Sequence, residues 1–150
     1  MFLTRDCEMG IRAVLHLAVH GGSDGMTVDE IAQAQHLSPS YLSRVFQYMV
    51  KAGVLAQHEA GRYRLERPPG DITIRALVES FSIPLALTRC LVHHDKIHPC
   101  GEEGTCELFA MWQDLSHSIL KALECRTLGD MINVAPKEPA DSNVKNPAHC

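Results

Sequence analysis

Three of the six cysteines, Cys90, Cys100 and Cys106, crowd into one stretch, while Cys7, Cys125 and Cys150 are scattered. Grouped thiols in a chain without secretory features point to metal or redox chemistry rather than to a disulfide framework. Three thiolates from one loop can hold an iron–sulfur cluster and leave one iron position for a weaker ligand. Zinc is a second reading. No Cys pair has the short spacing usual for structural zinc, but His93, His94 and His98 lie between Cys90 and Cys100 and could complete such a site. Free thiols, or a thiol switch, are the third.

A second group of residues suits a polyanion. Residues 38–67 hold five basic side chains (Arg44, Lys51, Arg62, Arg64, Arg67) against Glu59 and Glu66, a local charge of +3. The whole chain carries −4, which leaves −7 for the remainder. A basic stretch confined to part of an acidic protein fits nucleic-acid binding on one face.

The elements that must position these residues are legible. Residues 5–20 read as a helix apolar on two faces, and so packed between layers. Thr27 and Glu30 form a capping box that opens a helix ending near His36. Ser38 is a natural N-cap, Pro39 fits the first helical position, and Gly53 stops the helix that runs to Ala52. Two helices around a tight turn make a helix-turn-helix. Residues 54–57 and 63–65 are extended around Glu59-Ala60-Gly61, a hairpin of wing type, and Pro68-Pro69 closes it. A short helix follows within 71–81.

From about 106 to 128 the pattern is helical again. Leu108, Met111, Trp112, Leu115, Ile119, Ala122 and Leu123 form a seam of about three heptads, which in a small chain calls for a second subunit. After Met131 periodicity ends. The expected fold is mainly α with a small β-hairpin wing, a winged helix-turn-helix plus a long C-terminal dimerisation helix. Its parts are a DNA-binding domain over 1–82, a Cys-rich loop over 83–107, a dimerisation helix over 108–130 and a disordered tail over 131–150.

On the second helix of the motif, the positions not needed for a core are polar. Ser40, Ser43, Arg44 and Gln47 are candidates for base edges, and Arg44 can pair with guanine in a bidentate manner. Ser38 and Tyr41 suit phosphates at the helix start. Arg62 and Arg64 on the hairpin are expected to track the DNA backbone or minor groove. No Gly-rich phosphate loop or nucleophile elbow is present, so an enzyme is not expected. No run reaches the roughly 18 apolar residues of a membrane span and no signal peptide is seen, so a cytoplasmic protein is expected.

The order Leu3-Thr4-Arg5, Gly10-Ile11-Arg12-Ala13, Ile31-Ala32, Ser40-Tyr41-Leu42, Lys51-Ala52-Gly53, Arg67-Pro68-Pro69, Ile72-Thr73-Ile74 and the three cysteines resembles a known family. These are the bacterial winged-helix regulators of the IscR, NsrR and RirA type, which include an iron–sulfur assembly regulator, a nitric-oxide sensor and an iron regulator. The resemblance implies a homodimer on a palindromic double-stranded DNA operator, controlled by a [2Fe–2S] or [4Fe–4S] cluster. It implies cluster ligation by Cys90, Cys100 and Cys106; the remaining ligand is expected from Glu8 of the other subunit, at the start of a helix packed toward the dimer interface where similar members carry an acid, with His93, His94 and His98 as the alternatives. The wing, His58 to Tyr63, is shorter in glycines than is usual in that family, and nine residues separate Cys90 from Cys100. A cluster-free regulator, controlled by a small molecule, a partner protein or thiol oxidation, is the alternative.

Overall fold

The computed structural model describes residues 3–81 and 107–133, together with residues 88 and 91. Within them the order is α1 (Arg5–His20), β1 (Met26–Thr27), α2 (Val28–Gln35), α3 (Pro39–Lys51), β2 (Leu55–Gln57), β3 (Arg62–Leu65), α4 (Ile74–Glu79), α5 (Glu107–Glu124) and α6 (Leu128–Asn133). The fold class is the expected one, helical with a small antiparallel wing. The sheet has one strand more than the hairpin predicted from sequence. β3 lies between β1 and β2, with Met26 opposite Tyr63 and Gln57 opposite Tyr63 on the other side.

Four helix starts, those of α1, α2, α3 and α4, are fixed by a side chain from the residue before them. Thr4, Thr27, Ser38 and Thr73 accept hydrogen bonds from the amides of Cys7, Glu30, Tyr41 and Ala76. At Thr27 the box is complete, because Glu30 accepts in return from the Thr27 amide at 2.7 Å. Such caps each contribute on the order of 1 kcal/mol and set where α2 and α3 begin. The core they enclose joins Ala13, Val14 and Leu17 of α1 to Ile31, Leu42, Phe46, Met49, Val54, Leu55, Tyr63 and Leu77. Phe46 meets Tyr63 edge to face with ring centroids 5.1 Å apart, which seats the wing on α3. Gly10 is where α1 crosses closely: a Cβ there would lie 2.5 Å from the Phe81 ring and about 3 Å from Val45.

The wing tip carries local strain. His58 and Arg62 close the loop through a 2.8 Å amide-to-carbonyl hydrogen bond, and both Ala60 (φ 60°) and Gly61 (φ 69°) are left-handed. That conformation costs a residue with a Cβ roughly 1–2 kcal/mol, and glycine almost nothing. Ala60→Gly, at this exposed position, is expected to raise stability by about 0.5–1 kcal/mol in urea denaturation, with an unchanged m-value. A lower midpoint would show that the tip is relaxed.

The C-terminal segment departs from the sequence reading. One helix was expected through Leu128; instead α5 ends at Glu124 and the chain doubles back. Ile74 and Leu128 donate backbone hydrogen bonds to Arg126 and Ile72, both at 2.8 Å, and Leu128 is fully buried in the same core as α1, α3 and the wing. Thr127 and Asp130 form a second reciprocal cap that starts α6. α5 is therefore tied to the rest of the fold at its C-terminal end. Residues 131–133, expected to be disordered, belong to α6; the rest of the expected tail and most of the expected Cys-rich loop lie outside the described residues.

Candidate nucleic-acid interface

α3 is amphipathic in a strict sense. Leu42, Val45, Phe46 and Met49 are buried, whereas Ser40, Arg44, Gln47 and Lys51 are exposed. Those four recur at steps of four, three and four, so they form one polar stripe along the outer face. Ser38 caps the helix and Ser43 lies half-buried beside the stripe. An exposed polar stripe on a rigidly capped second helix can enter a DNA major groove, with its first turns at the base edges.

Tyr41 and Arg44 are not free on this surface. The Tyr41 hydroxyl donates to the Asp6 carboxylate at 2.9 Å, and Arg44 pairs with the same carboxylate at 3.3 Å. The guanidinium lies 5.4 Å from the Tyr41 ring centroid. Burial, followed by the Asp6 contact, raises the Tyr41 pKa, so the phenol remains a donor at neutral pH. Asp6 thus links the first turn of α1 to α3 across 35 and 38 residues of sequence. An exposed ion pair of this kind is worth about 0–1 kcal/mol, so a competing anion can break it cheaply. Asp6→Asn should raise operator affinity by up to about fivefold in anisotropy titrations. A fall in affinity would mean that the contact instead holds Arg44 in its reading position.

The wing arginines point back to the domain. Arg62 donates to the carbonyls of Asp24 and Gly25, at 3.0 and 2.9 Å, and lies 3.7 Å from Glu30. Arg64 lines a cleft at the base of the wing, with its Nε buried. A reading based on β-hairpin exposure did not anticipate either orientation. Pairing with β1 turns Arg62 toward the start of α2.

Glu8 is exposed in the first turn of α1, two residues from Asp6. Cys7 is fully buried, and burial, then the neighbouring Glu8 charge, pushes its thiol up to about 11. It is a protonated core residue at neutral pH and not a thiolate donor. Cys125, in the turn after α5, is disulfide-bonded. Cys90, Cys100 and Cys106, with His93, His94 and His98, lie outside the described residues. Among the described residues, no three His, Cys, Asp or Glu side chains are grouped so as to hold a metal ion. No described helix is long and apolar enough to cross a membrane.

Known proteins with this arrangement are regulators. The Rrf2 family, described as iron-dependent transcriptional regulators, matches residues 3–134. The HTH-type transcriptional regulator IscR of Vibrio atlanticus is 27% identical over 154 residues, covering 97% of this chain and 87% of that protein. Its counterpart in Photobacterium profundum is 29% identical over 147 residues, covering 97% of this chain and 79% of that one. In structure the chain is similar to CymR, the global cysteine regulator of B. subtilis, with a TM-score of 0.73 at 19% identity over 90% of this chain and 98% of CymR. The chain is a transcriptional regulator and not an enzyme, and it belongs to the Rrf2 family of winged-helix DNA-binding proteins.

Proposed function

We propose that this regulator works as a cytoplasmic homodimer on a palindromic operator, and senses iron, nitric oxide or redox state through an iron–sulfur cluster. The observation that carries the DNA reading is the exposed stripe Ser40, Arg44, Gln47 and Lys51 on the capped helix α3. Ser40, Ser43, Arg44 and Gln47 face base edges, and Ser38 and Tyr41 meet phosphates at the helix start. Arg62 and Arg64 add positive potential at the base of the wing rather than direct contacts, since both are turned inward.

For the sensor, the donor chemistry fits a cluster. Cys90, Cys100 and Cys106 would supply three thiolates, and Glu8 from the second subunit the fourth ligand. A bound cluster would supply a redox- and nitric-oxide-reactive iron centre at that point. The carboxylate is exposed, as a ligand reaching toward another chain must be. It also shares the first turn of α1 with Asp6, which grips Tyr41 and Arg44. A change in what holds Glu8 would shift that turn and alter the grip on the reading helix.

The visible spectrum of protein purified without oxygen tests the sensor reading, with operator binding measured before and after air exposure. Cluster absorbance together with a changed operator affinity is expected. A colourless protein whose operator binding is reset by a thiol reductant would favour the second reading, thiol oxidation, which the disulfide at Cys125 supports. The ligand assignment has its own test. Glu8→Ala should bleach faster under limited oxygen than the wild type, whereas a variant with His93, His94 and His98 all changed to Ala should not. The reverse order would give the position to a histidine.

A further inference from the structure

Between the end of α1, strand β3 and the Pro68-Pro69 turn lies an open cleft of about 400 Å³. Its walls include the aliphatic side chains of Leu17, Ala18 and Leu65, and Arg64, Glu66 and Arg67 bring charge to it. No residue of α3 lines it. Arg64 lines the cleft, and its Nε, buried behind the exposed part of the side chain, has no hydrogen-bond partner among the described residues. Buried polar groups in folded proteins are nearly always paired, and a guanidinium N–H left without an acceptor is costly. Glu66, a carboxylate on the cleft wall, does not pair with that Nε, so an acceptor entering the cleft can satisfy it once the Arg64 side chain shifts slightly.

We propose that this cleft binds a small organic carboxylate, whose oxygens accept from the buried edge of Arg64 and from Arg67. Several features set the chemical class. The planar guanidinium fork matches a carboxylate. Glu66 offsets one of the two arginines, so the local charge of +1 suits a singly charged head better than a phosphate. The aliphatic walls favour a short carbon body. A volume near the lower end of ligand sites favours a small guest. The site is independent of the DNA-reading face, and the bound anion would bridge α1 to the base of the wing.

The test follows the arginine Nε–H resonances of the full-length protein by proton–nitrogen NMR, with Arg64 assigned by its absence in Arg64→Met. Acetate, lactate and succinate are titrated at constant ionic strength, with chloride as the control. At least one carboxylate should move the Arg64 signal along a saturating curve. Arg67→Gln, at an exposed position, should weaken that binding by about tenfold, the loss expected for one charge-assisted hydrogen bond. Arg64→Met should melt no lower than the wild type without ligand, because it removes an unpaired buried donor. The proposal is overturned if no probe produces a saturable shift, or if Arg67→Gln leaves the curve unchanged. It is also overturned if the Arg64 signal responds to duplex DNA alone, which would assign the cleft to the DNA backbone.

Discussion

Changing Met111 and Leu115 together to glutamate is expected to convert the protein to a monomer and to lower operator affinity by at least about a hundredfold. α5 exposes Leu108, Met111 and Leu115 at 58%, 44% and 45%. These residues sit at steps of three and four, so they form one apolar stripe. Other faces of the helix are occupied, with Ser116 buried on one flank and Glu124, opposite the stripe, bonded to Arg75 of α4. A second copy of the chain would cover the free stripe. Placing two charges in that seam leaves them buried without partners, a penalty that ordinary dimers do not survive. The loss in DNA binding follows from the symmetry of two half-sites. Once one reading helix is bound, the other binds at high effective concentration, and that gain of about 10²–10⁴ disappears in a monomer. Sedimentation velocity reads the first effect and anisotropy the second. A dimer that persists in the double variant would place the interface elsewhere.

The second large effect concerns the cysteines. Changing Cys90, Cys100 and Cys106 together to serine should abolish all cluster absorbance in protein purified without oxygen, while Cys7→Ala should retain it. The difference rests on thiol chemistry. Cys7 is enclosed in the core with its pKa pushed up to about 11, so it offers no thiolate at neutral pH. Cys7→Ala should nevertheless lower stability by roughly 1 kcal/mol or more, because a fully buried side chain is shortened. Equal absorbance in the triple variant and the wild type would remove the cluster from these three residues.

Local chemistry in the sequence was a reliable guide to the fold. The Thr27–Glu30 box and the Ser38-Pro39 start were readable because caps depend on residues only three apart. The buried face of α3 was readable from its period. Long-range contacts were not. Nothing near Asp6 announces Tyr41 and Arg44, which reach it only after α1 packs across α3. The return of Leu128 to the core was hidden inside an apolar pattern that looked like more of the same helix. Its signal was present in Thr127-Leu128-Gly129-Asp130, a Thr with an acid three residues later, the same cap pattern that marked α2. The inward turn of Arg62 depends on β1, a strand of only two residues, too short for alternation to reveal.

The central claim is that the outer stripe of α3 reads DNA sequence. It is tested most directly by anisotropy titration of a selected operator and a random duplex over a series of salt concentrations, with wild type and Arg44→Ala in parallel. The wild type should prefer the operator by at least about 10³ at every salt concentration, while both affinities fall as salt rises. Arg44→Ala should lose roughly 1–3 kcal/mol at the operator, relax the preference at one base pair, and change random-duplex binding little. Equal affinity of the wild type for operator and random duplex throughout the series would contradict the claim.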